Sequence, residues 1–155
     1  MTNPVSINGI PELKNHLGVS LGPGAWFTVD QNRIDRFADA TGDRQWIHTD
    51  PERARQDSPF GQTVAHGYLT LALLPVLLPD LLDIRNVSMV INHGIERLRF
   101  PSPVPAGSRL RLHAKIKNFR ELASGAARVA VGFQFELENG TKPACTGEVV
   151  YVYYP

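Results

Sequence analysis

The fold of this chain is decided by one apolar run, Tyr68-Leu69-Thr70-Leu71-Ala72-Leu73-Leu74-Pro75-Val76-Leu77-Leu78. It lies within residues 66–82, where the pattern predicts a single helix whose side chains are apolar on every side. A helix that is apolar all round must be buried, since any face left in water would expose a large apolar surface. The run therefore predicts a long buried central helix in the core.

Four strand patterns follow this helix, separated by residues that favour turns. The predicted strands are residues 87–100, 108–119, 126–138 and 144–154. Between the last two, Asn139-Gly140 favours a hairpin, since both residues accept a positive φ. Long antiparallel strands wrapped around one buried helix predict a hotdog fold, which belongs to the α+β class.

Upstream of the central helix, a shorter helix is predicted over residues 31–40. Its apolar residues, such as Ile34 and Ala38, fall at helical spacing. Asp30 is suited to cap its start and Gly42 to end it.

An acid and an imidazole follow this shorter helix, five residues apart. Asp43 and His48 lie beyond the predicted helix end, and Asp50-Pro51-Glu52 starts the next helical turn, with Asp as the cap and Pro at the first helical position. The pattern therefore predicts that Asp43 and His48 share a loop that is pinned at both ends. A carboxylate and an imidazole held in this way can share a proton-transfer task, because imidazole titrates near neutral pH.

The N-terminal part is less informative. A short helix is predicted over residues 10–17, closed by Gly18, and the turn Gly22-Pro23-Gly24 leads into a strand over residues 26–29. This turn lacks the further Gly and the Lys of a phosphate-binding loop, so we interpret it as a plain turn.

Length, charge and cysteine content limit the class of protein. The 155 residues are expected to form one domain over residues 1–155, and no apolar run reaches the roughly 20 residues of a membrane-spanning helix. A net charge of +1 argues against a general nucleic-acid binder. The single cysteine, Cys145, excludes an internal disulfide framework, and the N-terminus lacks the pattern of a signal peptide. A soluble cytoplasmic protein is expected.

Two motifs, in the right order, resemble those of the MaoC-like (R)-specific enoyl-CoA hydratases. In the family's first motif, Gly-Asp, a variable residue, Asn-Pro, an aliphatic residue and His carry the chemistry. The matching residues here are Gly42, Asp43, Ile47 and His48, with Gln45 in place of Asn and Trp46 in place of Pro. The second motif, residues 59–70, is similar to the segment that leads into the family's central helix. The resemblance is closest to the nodulation-protein-N-like branch and covers residues 26–153.

The resemblance implies a hotdog fold and the reversible addition of water to a trans-2-enoyl thioester, which gives the (3R)-3-hydroxyacyl thioester. It implies that His48 is the base that takes a proton from water and that Asp43 is its acidic partner. It also implies that the backbone N–H of Gly67 binds the thioester oxygen, and the start of a helix offers such unpaired N–H groups. No metal and no cofactor are expected, because coenzyme A enters as part of the substrate.

Two more residues are predicted to belong to the substrate site. Gln45 could hold the water or orient Asp43 by its amide. His66 is interpreted as a group that fixes the helix start rather than as a third catalyst. The serine that many family members carry two turns into the central helix is replaced by Pro75.

Five basic residues alternate with apolar residues along one predicted strand, so all five project from the same face. They are Arg109, Arg111, His113, Lys115 and Lys117. A solvated outer face is the simpler interpretation, and contact with the phosphates of coenzyme A is the alternative. Elsewhere, Cys145 is interpreted as a small buried hydrophobe and His93 as the mark of a β-bulge.

The expected partners are an acyl-CoA or acyl-carrier-protein thioester and a second copy of the chain, since long regular strands must be paired or covered at their edges. Neither nucleic acid nor a membrane is expected to bind. Two alternatives to the hydratase stay open. A hotdog thioesterase would use a carboxylate on the central helix, which residues 68–78 do not contain. A catalytically silent acyl-thioester-binding subunit is the other, because Gln45 and Trp46 depart from the motif.

Overall fold

The computed structural model describes residues 4–155. In chain order its elements are β1 (Val5–Asn8), a 3₁₀ helix (Ile10–His16), β2 (Ser20–Leu21), β3 (Phe27–Val29), α1 (Gln31–Thr41), α2 (Trp46–Thr49), α3 (Pro51–Asp57), α4 (Gly67–Ala72), α5 (Leu74–Leu77), a 3₁₀ helix (Leu78–Asp80), β4 (Leu82–Arg85), β5 (Met89–Arg99), β6 (Ser108–Glu121), a 3₁₀ turn (Ala123–Gly125), β7 (Ala127–Leu137) and β8 (Cys145–Tyr154).

One antiparallel sheet dominates the molecule. Its strands lie in the order β2-β6-β7-β8-β5, and β3 also pairs with β6. The four long strands predicted from the sequence are β5 to β8, and their ends differ from the prediction by only a few residues. β5 is the last strand at one edge of this sheet, with β8 as its neighbour.

The turns between the long strands follow the predicted signals. Asn139 has a φ of 60° in the connection between β7 and β8, which confirms the hairpin, although Gly140 does not share the positive φ. The connection is longer than a two-residue turn, because β8 begins only at Cys145. A register shift separates Asn92 from Gly94, so the bulge predicted at His93 is confirmed.

The central helical segment is not one continuous helix. It consists of α4, α5 and the 3₁₀ helix that follows, with Pro75 and Pro79 near the starts of the second and third pieces. Each proline lacks the N–H that would continue the α-helical pattern. The prediction of one long helix over residues 66–82 is therefore wrong, and Leu82 already belongs to β4.

One face of this segment packs against the inner face of the sheet. The shared core includes Leu69, Leu73, Leu74 and Leu77 from the segment and Leu112, Val131, Phe135, Val149, Tyr151 and Tyr153 from the strands. The opposite face is open, since Tyr68 is 69% and Val76 55% exposed. Burial on every side is thus not found in the single chain. The predicted α+β hotdog architecture, a sheet around a central helical segment, is confirmed.

The N-terminal residues complete the fold. The short helix predicted over residues 10–17 is confirmed, and it is a 3₁₀ helix over Ile10–His16. β1 pairs in parallel with β4 in a separate two-stranded sheet, a long-range contact that no local pattern indicates. Within residues 4–155, no helix is long and apolar enough to cross a membrane.

Candidate active site

The first half of the site is built by the end of α1. Asp30 caps its start, with Oδ1 accepting a hydrogen bond from the N–H of Arg33 at 2.8 Å. Gly42 ends it with a φ of 82°, in the left-handed region that suits glycine. Both predicted caps are confirmed. Asp43 follows directly, so its carboxylate is carried by a short connection whose direction is set by the helix end.

His48 lies on α2 and not on a loop, which corrects the prediction. α2 is a single turn between Gln45 and Asp50, and Asp50 caps α3 by accepting from the N–H of Arg53. His48 is buried, and its Nδ1 lies 2.6 Å from the carbonyl oxygen of Val64. A carbonyl can only accept, so Nδ1 carries the proton and Nε2 keeps a free lone pair.

Gln31 braces the backbone on which His48 lies. Its Nε2 donates to the carbonyl oxygen of His48 at 2.7 Å and to Asp35 at 2.8 Å, while its Oε1 accepts from the hydroxyl of Thr63. Sequence reasoning missed Gln31 and Thr63, which lie 17 and 15 residues from His48 along the chain. No motif spacing points to them, because the contact exists only after α1 packs against α2.

His66 contacts both Asp43 and His48. Its Nε2 donates to the carbonyl oxygen of Asp43 at 2.9 Å. Its ring stacks on that of His48, with centroids 3.9 Å apart and planes inclined by 27°. His66 makes no side-chain cap at the start of α4, so it holds the Asp43 connection and the His48 ring rather than the helix start itself. Its Nδ1 is buried and has no partner among residues 4–155.

The environment of His48 favours its neutral form. Its pKa is lowered from the ordinary 6.5, mainly because burial removes water from the charged ring. The nearby His66 lowers this pKa further, whereas the hydrogen bond to Val64 and the charge of Asp43 raise it. A neutral imidazole with a free Nε2 is the form that a general base requires.

Asp43, His48 and His66 also raise the question of a metal. One potential ligand atom from each lies within 4.8 Å of the other two, and two imidazoles with a carboxylate form a donor set that zinc accepts. However, one nitrogen of each ring is committed to a carbonyl, and the two rings lie in stacked, nearly parallel planes. Ligands of one metal converge on a common point, so this arrangement fits proton transfer better. That no metal takes part stays a prediction.

Gly67 is the first residue of α4, so its N–H precedes the hydrogen-bonding pattern of the helix. A Cβ at this position would lie 3.2 Å from ring atoms of Phe100, which is tighter than ordinary contact. Glycine therefore lets Phe100 pack closely against the start of α4, a reason that the sequence did not reveal.

A family model described as a MaoC like domain matches residues 12–134, which is most of the chain. The chain belongs to the MaoC-like dehydratase family. It is 41% identical over 148 residues to 3-hydroxyacyl-thioester dehydratase Z of Mycobacterium tuberculosis, covering 96% of this chain and 97% of that protein. It is 40% identical to nodulation protein N of Rhizobium leguminosarum bv. viciae, with 92% and 89% covered.

Among solved structures, R-hydratase PhaJ1 from Pseudomonas aeruginosa in the unliganded form superposes with a TM-score of 0.71 at 24% identity, over 94% of this chain and 85% of that one. This likeness supports the fold. Family membership and the 41% identical relative identify this MaoC-like chain as an enzyme of the hydratase and dehydratase class.

The two departures of this MaoC-like chain from the family's first motif have local explanations. Gln45 is exposed and precedes α2, and its backbone N–H lies 3.4 Å from Oδ1 of Asp43. Its side-chain amide does not orient Asp43, contrary to one predicted role. Trp46 packs under the guanidinium of Arg53, 4.5 Å from the ring centre, which ties α2 to α3. Contact of Gln45 with substrate stays a prediction.

The basic stripe of β6 is largely neutralised within the chain. Arg109 is paired with Glu138, and Arg111 and His113 share Glu136. The hydrogen bonds from Arg111 and His113 lower the pKa of Glu136 to about 2. These pairs favour the simpler interpretation of a solvated outer face. Cys145 is buried, and burial raises the pKa of its thiol to about 12, so it is not a nucleophile at neutral pH.

Proposed function

We propose that this MaoC-like enzyme catalyses the reversible, (R)-specific hydration of trans-2-enoyl-CoA to (3R)-3-hydroxyacyl-CoA. The observation that carries the proposal is the protonation pattern of His48. Its Nδ1 is held by the carbonyl of Val64, which leaves Nε2 as a free acceptor beside Asp43. Unlike Nδ1 of His66, this nitrogen is not sealed from solvent.

In the hydration direction, Nε2 of His48 takes a proton from water as the water oxygen attacks the β-carbon. The electron pair of the double bond moves towards the carbonyl. The proton on His48 passes through the water site to the Asp43 carboxylate, which delivers it to the α-carbon, so both side chains return to their starting forms. The backbone N–H of Gly67 donates to the thioester oxygen while that oxygen carries negative charge. No cofactor takes part, because the coenzyme A belongs to the substrate.

Two kinds of support favour this reaction over thioester hydrolysis. The mycobacterial relative is named as a 3-hydroxyacyl-thioester dehydratase. The segment from α4 to α5 carries no carboxylate, and a hotdog thioesterase would require one there. A silent subunit is disfavoured by the intact arrangement of Asp43, His48 and His66.

Crotonyl-CoA separates the three functions in one experiment. Loss of the enoyl absorbance without release of thiol means hydration, release of thiol means hydrolysis, and neither outcome means a silent subunit. Coupling the product to a stereospecific dehydrogenase tests for the R isomer, and an S product would contradict the proposal.

Substitution of the acid and the base tests their roles. We expect Asp43→Asn and His48→Ala each to lower turnover by about 10²-fold or more, in line with general acid–base contributions of roughly 10²–10⁴. Asp57→Asn and His16→Ala are matched controls on α3 and the first 3₁₀ helix and should keep wild-type turnover. Near-normal hydration by a folded His48→Ala enzyme would remove His48 from the mechanism.

The proposal includes a homodimer in the cytoplasm. β5 lies at the edge of the main sheet, and it exposes Met89, Val90, Ile91 and Ile95. An uncovered edge with apolar side chains is a surface for pairing with another strand. We propose that β5 pairs with β5 of a second copy and that the second copy also covers the open face of the central helical segment.

A further inference from the structure

A long groove runs between the open face of the central helical segment and β5. It consists of two adjoining cavities of about 450 Å³ and about 340 Å³, which share Pro75, Asn92 and Tyr151. The first cavity begins at Tyr68, the residue directly after Gly67, and the second ends near β4. We call the two cavities together the helix–edge groove.

Most of the groove wall is apolar, as the wall of a ligand site usually is. Leucine and proline side chains of the segment form one wall, and Ile95 and Val149 contribute to the sheet side. Polar side chains interrupt this surface. Tyr68 and His93 line the first cavity and Asp83 lines the second, while the hydroxyls of Tyr151 and Tyr153 and the amide of Asn92 are three neutral hydrogen-bonding groups on the sheet side.

The two tyrosines are unusual because both are only 5% exposed, yet within residues 4–155 no hydrogen bond satisfies either hydroxyl. Buried tyrosine hydroxyls usually find a partner, since an unpaired buried polar group is costly. Neither hydroxyl oxygen is fully sealed, because neither is among the buried atoms without a partner. The missing partners can therefore come from a molecule in the groove.

The positions of the three groups make them a set. Asn92 lies directly opposite Tyr151 in the β5–β8 pairing, so their side chains share the inner face. The rings of Tyr151 and Tyr153 are 6.0 Å apart between centroids. Burial raises the pKa of Tyr151 to about 12, so this hydroxyl is neutral at pH 7 and can both donate and accept.

We propose that the helix–edge groove binds the acyl chain of the thioester and that Tyr151, Tyr153 and Asn92 select a chain longer than crotonyl that carries an oxygen substituent, such as a hydroxyl or keto group. This inference rests on the proposed function, since it extends the substrate from the thioester at Gly67 into the groove. A hydrocarbon chain would leave the hydroxyls unpaired, whereas an oxygenated chain satisfies them. A site built to hydrogen-bond a substrate group discriminates strongly against the analogue that lacks it.

The test compares trans-2-octenoyl-CoA with its ω-hydroxy analogue, using kcat/KM of the full-length enzyme. We expect the wild type to prefer the hydroxylated substrate by about tenfold, as one well-formed hydrogen bond of about 1.4 kcal/mol would give. Tyr151→Phe and Tyr153→Phe should each lower this ratio about fivefold or more. Tyr154→Phe, at the exposed end of β8, is the matched control and should keep the wild-type ratio.

Each outcome decides the matter. Equal kcat/KM for the two substrates in the wild type, or an unchanged ratio in both Phe variants, overturns the inference while hydration of crotonyl-CoA still upholds the proposed function. If the Phe variants instead change the oligomeric state, the hydroxyls bond a second copy and the inference is wrong. If the wild type hydrates no enoyl-CoA, the proposed function fails. Calorimetry then compares the Kd of octanoyl-CoA with that of ω-hydroxyoctanoyl-CoA, and equal Kd values in the wild type, or an unchanged ratio in both Phe variants, overturn the inference.

Discussion

At the scale of single residues, the two histidines of the site differ in which nitrogen each commits to a carbonyl. In His48, Nδ1 donates to the carbonyl oxygen of Val64 and Nε2 is free. In His66, Nε2 donates to the carbonyl oxygen of Asp43, and Nδ1 is buried without a partner among residues 4–155. Only the first arrangement leaves a basic nitrogen that water can reach. The family resemblance already implies His48 as the base and the sequence predicts His66 as a structural group, and the fold supplies the physical reason by showing which nitrogen of each ring is free.

The lowered pKa of His48 predicts a pH dependence of turnover. Because the folded pKa lies below 6.5, the neutral base persists on the acid side of 6.5, and kcat/KM should fall only as the pH drops through that lowered value. Asp43 raises this pKa, so Asp43→Asn should move the acid limb to lower pH in addition to slowing turnover. The profile of kcat/KM against pH checks both. A limb above 6.5 in the wild type would contradict the environment described for His48.

The same shift contributes to stability with a definite sign. Between the folded pKa and 6.5 the unfolded chain binds more protons than the folded one, so the free energy of unfolding rises with pH in that window. The contribution is fully present above 6.5 and is lost as the pH falls through the folded pKa.

Two buried threonines predict opposite effects on stability. Thr70 is 1% exposed and its hydroxyl has no partner among residues 4–155, whereas the hydroxyl of Thr63, 3% exposed, donates to Gln31. Thr70→Val should therefore keep or raise the free energy of unfolding, by up to about 1 kcal/mol, and Thr63→Val should lower it by about 1–3 kcal/mol. Urea unfolding of the two variants measures the difference. A Thr70→Val protein less stable than Thr63→Val would show that the Thr70 hydroxyl is bonded.

At the scale of elements, the sequence predicted what local chemistry determines. The caps Asp30, Gly42 and Asp50 were found because a capping residue acts on the backbone within three or four positions. The break in the central helical segment was missed, because the apolar pattern continues through Pro75 and Pro79 and outweighed them. The stacking of His48 on His66 could not be predicted, since it depends on how α2 packs against the start of α4.

The contact between Gly67 and Phe100 predicts that packing at the start of α4 affects the rate of hydration. Gly67→Ala should lower turnover about 10²-fold or more, because the added methyl presses on the Phe100 ring and displaces the start of α4 from the thioester oxygen. The pH profile should stay unchanged, because the substitution leaves the groups that set the pKa of His48 in place. Phe100→Leu in the same chain relieves the contact and should recover much of the rate. Wild-type turnover of crotonyl-CoA by Gly67→Ala would show that the oxygen is held elsewhere.

At the scale of the whole molecule, the apolar pattern of the central segment predicts more burial than the single chain provides. It predicted burial on every side, yet Tyr68 and Val76 are exposed together with the apolar side chains of β5. The layers of the fold could be derived from strand and helix patterns within one chain. The proposed cover for this face, a second copy of the chain, could not be derived in the same way, because patterns within one chain do not describe contacts between copies.

The proposed homodimer predicts that a charge at the edge of β5 separates the subunits. Ile91 is 42% exposed on this edge strand, so Ile91→Lys should leave the pairing with β8 intact while opposing edge-to-edge association. Light scattering should give a dimer for the wild type and a monomer for the variant, and crotonyl-CoA hydration should fall with the dimer, because the open face of the central segment then lacks its cover. Leu17→Lys, with a side chain 46% exposed beyond the first 3₁₀ helix, is the control and should remain dimeric and active. A monomeric wild-type enzyme with full turnover would contradict both the edge pairing and the proposed role of the second copy.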